Sequence, residues 1–252
     1  MTTMTTTDVT TIAPIGHREA MQLQATELER AVAQLRSLGT EDWSVQTVCP
    51  DWTVRQMWLH VLGACEAGAS MRENAHQMLA ARKRRKELGV PLEAGLSGVQ
   101  VAEREELSPA ELVDRLAAIA PKTVKGRSRT PRPMRSAKIA IDAPVVEKWS
   151  LGYLIDVIYL RDAWMHRVDT ARATGRELEL TTEHDGRIVA DVVAEWARRH
   201  GQPFSLDLTG PAGGNYTAGN GGESITIDAV EFCCLLAGRG EPTGLLGTIV
   251  PF

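Results

Sequence analysis

Asp162 and His166 stand four residues apart in the run VVEKWSLGYLIDVIYLRDAWMHRVDTA. The apolar pattern of that run reads as one long helix over 145–171. A spacing of four puts both side chains on one helix face. A carboxylate and an imidazole so placed hold a divalent cation when a third donor arrives from another element. His60, in a helix expected over 54–78, is that candidate. Two histidines and one carboxylate leave a position open for water or substrate at a zinc ion. Iron(II), manganese(II) and nickel(II) accept the same set. The spacing also serves a plain carboxylate–imidazole hydrogen bond, and His60 taken alone also reads as a core histidine. Asp169, one turn beyond His166, is a spare ligand or an outer acceptor.

The other histidines, His17, His76, His184 and His200, fall near expected helix ends and read as surface or capping residues. Arg239 follows Gly238 just after an apolar helix. Either it ends that helix, or it holds an anionic substrate in a cleft between domains. Helical phase places Tyr159 near the Asp162–His166 face as a pocket residue, and turns Trp58 away from His60. Four cysteines are present, without C-x-x-C spacing, and the adjacent Cys233 and Cys234 lie in an apolar run. They read as buried small hydrophobes in a reducing compartment.

The elements that must position these groups are mostly helical. The Thr-rich residues 1–14 read as disordered. An apolar stripe marks a helix over 15–38. Thr53, with Gln56 three residues on, forms a capping box for the helix carrying His60, and Gly63 within that helix marks close packing or a weak point. Ser108-Pro109-Ala110-Glu111 gives an N-cap, a Pro at the first helical position and a capping Glu for a helix over 109–120. Residues 121–144, rich in Pro, Arg, Lys and Ser, read as a long loop or arm, and 181–200 as a further helix. From 201 the pattern changes. Residues 204–210 and the SITIDA segment alternate like paired strands, the glycine-rich 210–222 between them reads as a loop, and a last helix covers 228–237. The expected fold class is α+β: a four-helix-like bundle over 15–200, then a small α+β domain over 201–252.

The 252 residues carry a net charge of −4, so no global attraction draws the chain to nucleic acid or anionic membranes. The basic run 82–86 reads as a solvated helix end. No signal-peptide pattern and no long uncharged apolar stretch are present, which favours the cytoplasm.

Three stretches carry a resemblance: DWSVQTVCPDWTVRQMWLHVLG (42–63), YLRDAWMHRVDTARATGR (159–176), and LDLTGPAGG with AVEFCCLLAGR near the end of the chain. The chain resembles the mycothiol-dependent maleylpyruvate isomerase family, within the DinB-like metalloenzyme superfamily. The resemblance implies a DinB-like metal-binding bundle whose ligands fall on His60, Asp162 and His166, and a functionally important arginine that falls on Arg239. It implies a divalent metal, zinc first, and the small thiol mycothiol, held as thiolate to attack an electrophilic small molecule. The isomerase of this family has Glu where this chain has Asp162, one methylene shorter. That departure favours S-transfer or conjugation over cis–trans isomerisation of a maleylpyruvate-like acid. A non-thiol metalloenzyme and a binding protein with a structural or vestigial metal site are the other readings. The expected partners are a small thiol and a small electrophile, with the chain a monomer or homodimer.

Overall fold

The structure, a computed structural model, describes residues 6–142 and 146–252. It has a mostly helical N-terminal region and a smaller mixed α+β C-terminal region. The described residues form two compact units, 16–178 and a second made of 179–252 with residues 6–15.

The helical unit is built on α1 (His17–Arg36), α2 (Val54–Ala69), α3 (Met71–Leu88), α4 (Leu92–Ala102) and α5 (Pro109–Ser128). Leu28, Val32 and Leu35 of α1 pack with Met57, Trp58 and Leu62 of α2 and with Leu112 and Leu116 of α5. Both expected capping boxes are present: Thr53 with Gln56, and Ser108 with Glu111 behind Pro109. The helix expected over 54–78 is two helices. Ser70 adopts an extended backbone (φ −139°, ψ 118°), ends α2, and caps α3 through its hydroxyl. The expected loop 121–144 is largely structured. Helix α5 runs on to Ser128, followed by the short α6 (Arg132–Arg135) and strand β2 (Lys138–Ile141).

The helix expected over 145–171 also differs. Glu147–Ser150 is strand β3, antiparallel to β2; residues 143–145 lie outside the described residues. The chain then turns helical through α7 (Leu151–Tyr153), a π-helical turn (Leu154–Ile158) and α8 (Tyr159–Thr174). The buried Gln24 amide donates to the Ile155 carbonyl at 2.6 Å. Asp156 in the same turn meets His17 Nδ1 at 2.7 Å and Arg135 Nη1 at 2.9 Å. A π turn survives where side chains pin its displaced groups in this way.

The C-terminal unit holds a four-stranded sheet in the order β1-β5-β4-β6, with β1 Thr6–Asp8, β4 Phe204–Thr209, β5 Gly214–Ala218 and β6 Glu223–Asp228. Helices α9 (Asp185–His200) and α10 (Ala229–Leu236) belong to this unit. Trp196 of α9 meets Phe204 and Phe232 edge-on at ring distances of 4.7 and 5.3 Å. Three expectations change here. The boundary set at 200 lies at 178–179, because α9 is part of this unit. The glycine-rich stretch, expected as a loop, supplies strand β5, antiparallel to β4, while the expected pairing of 204–210 with the SITIDA segment is present as parallel β4 and β6. Residues 6–8, within the segment read as disordered, pair with 215–217; residues 1–5 lie outside the described residues.

Candidate metal centre

His60 comes from α2, and Asp162 and His166 from α8. The packing that brings the two helices together is specific. The Trp58 indole N–H donates to Thr170 Oγ1 at 2.8 Å, and the Thr170 hydroxyl donates to the His166 carbonyl at 2.7 Å. Trp58 thus ties its helix to α8. The result is a cluster in which one ligand atom from each of His60, Asp162 and His166 lies within 4.8 Å of the other two. His60 Nε2 is 3.9 Å from Asp162 Oδ2, and His166 Nε2 is 3.3 Å from Asp162 Oδ1. Both imidazoles therefore turn the same nitrogen toward one carboxylate.

A chain of donors and acceptors fixes the tautomer of His60. The Gly63 carbonyl and the Glu73 carboxylate accept, so the Gln77 amide must donate to them with Nε2, at 3.0 and 2.8 Å. Gln77 Oε1 is then the acceptor for Gln100 Nε2 at 2.9 Å. That leaves Gln100 Oε1 facing His60 Nδ1 at 2.7 Å. An amide oxygen only accepts, so His60 carries its proton on Nδ1 and presents the Nε2 lone pair to the cluster. Gln77 and Gln100 are both buried. Gly63 makes the approach possible: a Cβ there would lie 2.6 Å from Cβ and Cγ of Gln100. On the exposed side Trp52 stacks on His60, with ring centroids 5.1 Å apart and planes 27° apart. The loop before α2 fixes the Trp52 backbone. The Trp52 main-chain N–H donates to the Cys49 carbonyl, and its own carbonyl accepts from Thr47 N–H and Gln46 Nε2.

His166 Nδ1 faces Asp169 Oδ2 at 3.5 Å, yet neither buried ring nitrogen completes a hydrogen bond. A buried imidazole with both nitrogens so placed, in a His/Asp/His donor set, fits a cation ligand. Burial disfavours the Asp162 carboxylate. His166 and His60 overcome that, and the carboxyl lies well below its usual range. Burial likewise disfavours the His166 imidazolium. Asp162 and Asp169 outweigh it, raising the group to about 9.

Tyr159 lies on the same side of α8, lining a narrow cavity with Asp162, Cys65 and Arg127. Burial pushes its phenol up, against the pull of Arg127. Arg239, half-buried, belongs to the C-terminal unit, where its N–H meets the Cys234 carbonyl at 2.8 Å. Gln77, Gln100, Trp52 and Arg127 were not among the sequence-derived site residues. Trp52 lies within the 42–63 stretch that carried the resemblance, and the other three reach the cluster only through packing.

A helical bundle unit with a histidine–carboxylate–histidine cluster between two of its helices is the class that fold and site define. The chain belongs to the family described as the mycothiol maleylpyruvate isomerase N-terminal domain, whose model matches residues 24–171 and so spans the whole cluster. Its fold is similar to that in the crystal structure of the mycothiol-dependent maleylpyruvate isomerase, at 16% identity and a TM-score of 0.57. The match covers 93% of this chain and 92% of that one. A histidine-to-alanine mutant of that enzyme gives 15% identity with the same TM-score and coverage. No curated protein sequence matches the chain. Among the described residues, no helix is long and apolar enough to cross a membrane.

Proposed function

We propose that the protein is a metal-dependent enzyme that activates a small thiol, mycothiol, for attack on an electrophilic small molecule. His60 Nε2, Asp162 and His166 Nε2 are the proposed ligands, and zinc the proposed metal. A divalent metal held there by His60, Asp162 and His166 would supply Lewis acidity that favours the deprotonated form of a thiol at neutral pH. The chain's own groups prepare that chemistry. The Gln77–Gln100 relay holds the His60 proton away from the cluster. Trp52 limits rotation of the His60 ring, and Asp169 offers an acceptor for the far side of His166. Tyr159 borders the space beside Asp162 and is the proposed contact to substrate. Arg239 is the proposed holder of an anionic substrate group through its planar fork. The thiol itself is the nucleophile, consistent with the burial of Cys65, Cys233 and Cys234.

The observation that carries this reading is the convergence of two imidazole Nε2 atoms on one carboxylate, inside the segment that matches the family. We place conjugation (S-transfer) ahead of thiol-dependent isomerisation because the third donor is Asp162 rather than a glutamate. Isomerisation remains the second reading, supported by the family. Calorimetry with mycothiol on zinc-loaded and zinc-stripped protein tests the proposal. Binding that requires zinc is expected. Zinc retained with no thiol binding would move the assignment to a non-thiol metalloenzyme.

A further inference from the structure

The narrow cavity beside Asp162 contains a buried cation that the scheme above does not use. Arg127, next to Gly126 near the end of α5, is 6% exposed. Its guanidinium is held by neutral groups only. Nη1 donates to Gln24 Oε1 at 2.8 Å, Nη2 reaches the Ala64 carbonyl at 3.4 Å, and the carbon centre lies 4.1 Å above the Tyr159 ring. Gln24 cannot turn its amide around, because its Nε2 is committed to the Ile155 carbonyl. Nε of Arg127 has no hydrogen-bond partner. Among the described residues, no carboxylate forms an ion pair with Arg127.

A buried guanidinium without a counter-ion is costly to maintain, and the cavity's other groups do not relieve it. Glu27, on the same wall, is paired with Arg167, its Oε1 2.5 Å from Nε. Burial raises the Cys65 thiol and the Tyr159 phenol, so both stay neutral near pH 7. Asp162 is already flanked by two imidazoles. A divalent ion at the cluster would add further positive charge. The helix crossing is arranged to admit the arginine all the same. A Cβ on Gly126 would fall 2.2 Å from the Gly68 carbonyl oxygen, and one on Gly68 would fall 2.9 Å from Arg127 Nε. Only glycines at this crossing let α5 come so close and let the guanidinium pass across α2.

We propose that Arg127 is an anion-binding, specificity-determining residue, which takes a carboxylate oxygen of the ligand entering the cavity beside the metal cluster. The cavity is about 10 Å³, room for one water-sized group, so it receives a terminal oxygen rather than a whole ligand. The Tyr159 ring face fixes the plane of the guanidinium, and its free donor capacity selects an acidic group over a neutral isostere. This inference rests on the metal-site reading for where the ligand reacts.

The probe is formate, with formamide as the uncharged control, followed by ligand-observed NMR while zinc content is measured in the same samples. Wild type is expected to prefer formate. Arg127→Gln is expected to keep its zinc, lose at least tenfold in formate affinity and leave formamide unchanged. Where Arg127→Gln does not fold, Gly68→Ala, which crowds Nε, is expected to show the same loss. Formate binding within twofold of wild type in a folded variant, or no formate binding by wild type, overturns the proposal. Arg127-dependent formate binding in a protein that takes up no zinc would keep the anion subsite and remove the metal reading.

Discussion

His60 Nδ1 lies 2.7 Å from Gln100 Oε1, and this contact sets which nitrogen of His60 faces Asp162. Replacing Gln100 with Leu removes the acceptor and leaves Gln77 Oε1 without its donor. Outer partners of metal-bound histidines are typically worth about 10–100-fold in metal affinity. Gln100→Leu is therefore expected to weaken zinc binding by that range, measured by competition with a chromophoric chelator. Gln100→Glu restores the acceptor for His60 Nδ1 but sets a carboxylate oxygen against Gln77 Oε1, so it should recover only part of it. Equal affinity in Gln100→Leu would remove the relay from the account.

Gly63 is the position that lets Gln100 approach. A methyl group there meets Gln100 Cβ and Cγ at 2.6 Å, so Gly63→Ala must push α2 and α4 apart or turn Gln100 aside. Overpacking of this kind costs about 1–3 kcal/mol. Thermal denaturation should show a fall in Tm of several degrees, about 2–4 °C per kcal/mol for a chain of this size, with weaker zinc binding in the same variant.

The pH dependence of the metal-free protein follows from His166. Its folded value, about 9, lies above the ordinary histidine value of 6.5. The stabilisation from its ion pair is fully present below about pH 6.5 and is lost as pH rises through about 9. Metal binding needs the neutral ring, so below pH 9 each ion must displace the His166 proton. Calorimetry in buffers of different ionisation enthalpy is expected to report about one proton released per zinc bound at pH 7.

These positions show how far the sequence reaches. Asp162 and His166 were legible because a spacing of four is a local property of any helix, and the capping boxes at Thr53 and Ser108 were legible for the same reason. Gln100 was not, because it acts from α4 on a histidine 40 positions away, and only packing brings them together. The break at Ser70 was hidden by helix-compatible residues on both sides. Strand β1 exists through its partners Asn215–Thr217, and a Thr-rich terminus does not announce such a partner. Helix α9 reads correctly as a helix, but which unit it joins depends on Trp196 meeting Phe204 and Phe232, a tertiary fact.

Asp162 carries two roles that its variants separate. Asp162→Asn keeps the shape but removes the charge, so zinc affinity is expected to fall at least about 100-fold and the titration of His166 to move down from about 9. Asp162→Glu keeps the charge and adds the methylene, and is expected to retain zinc. NMR titration of the His166 ring and elemental analysis check both.

Arg239 is expected to act on substrate rather than on the metal. Arg239→Ala should raise KM for an acidic electrophile several-fold and leave zinc content unchanged. Unaltered kinetics would return Arg239 to an ordinary place at the end of α10.

The central claim is that His60, Asp162 and His166 together hold a metal. Elemental analysis of purified protein after reconstitution with zinc, beside His60→Ala and His166→Ala treated alike, tests it most directly. The account predicts about one zinc per chain in the wild type and little in either variant, with all three folded by circular dichroism. Full zinc content in folded His166→Ala, or none in the wild type, would contradict it.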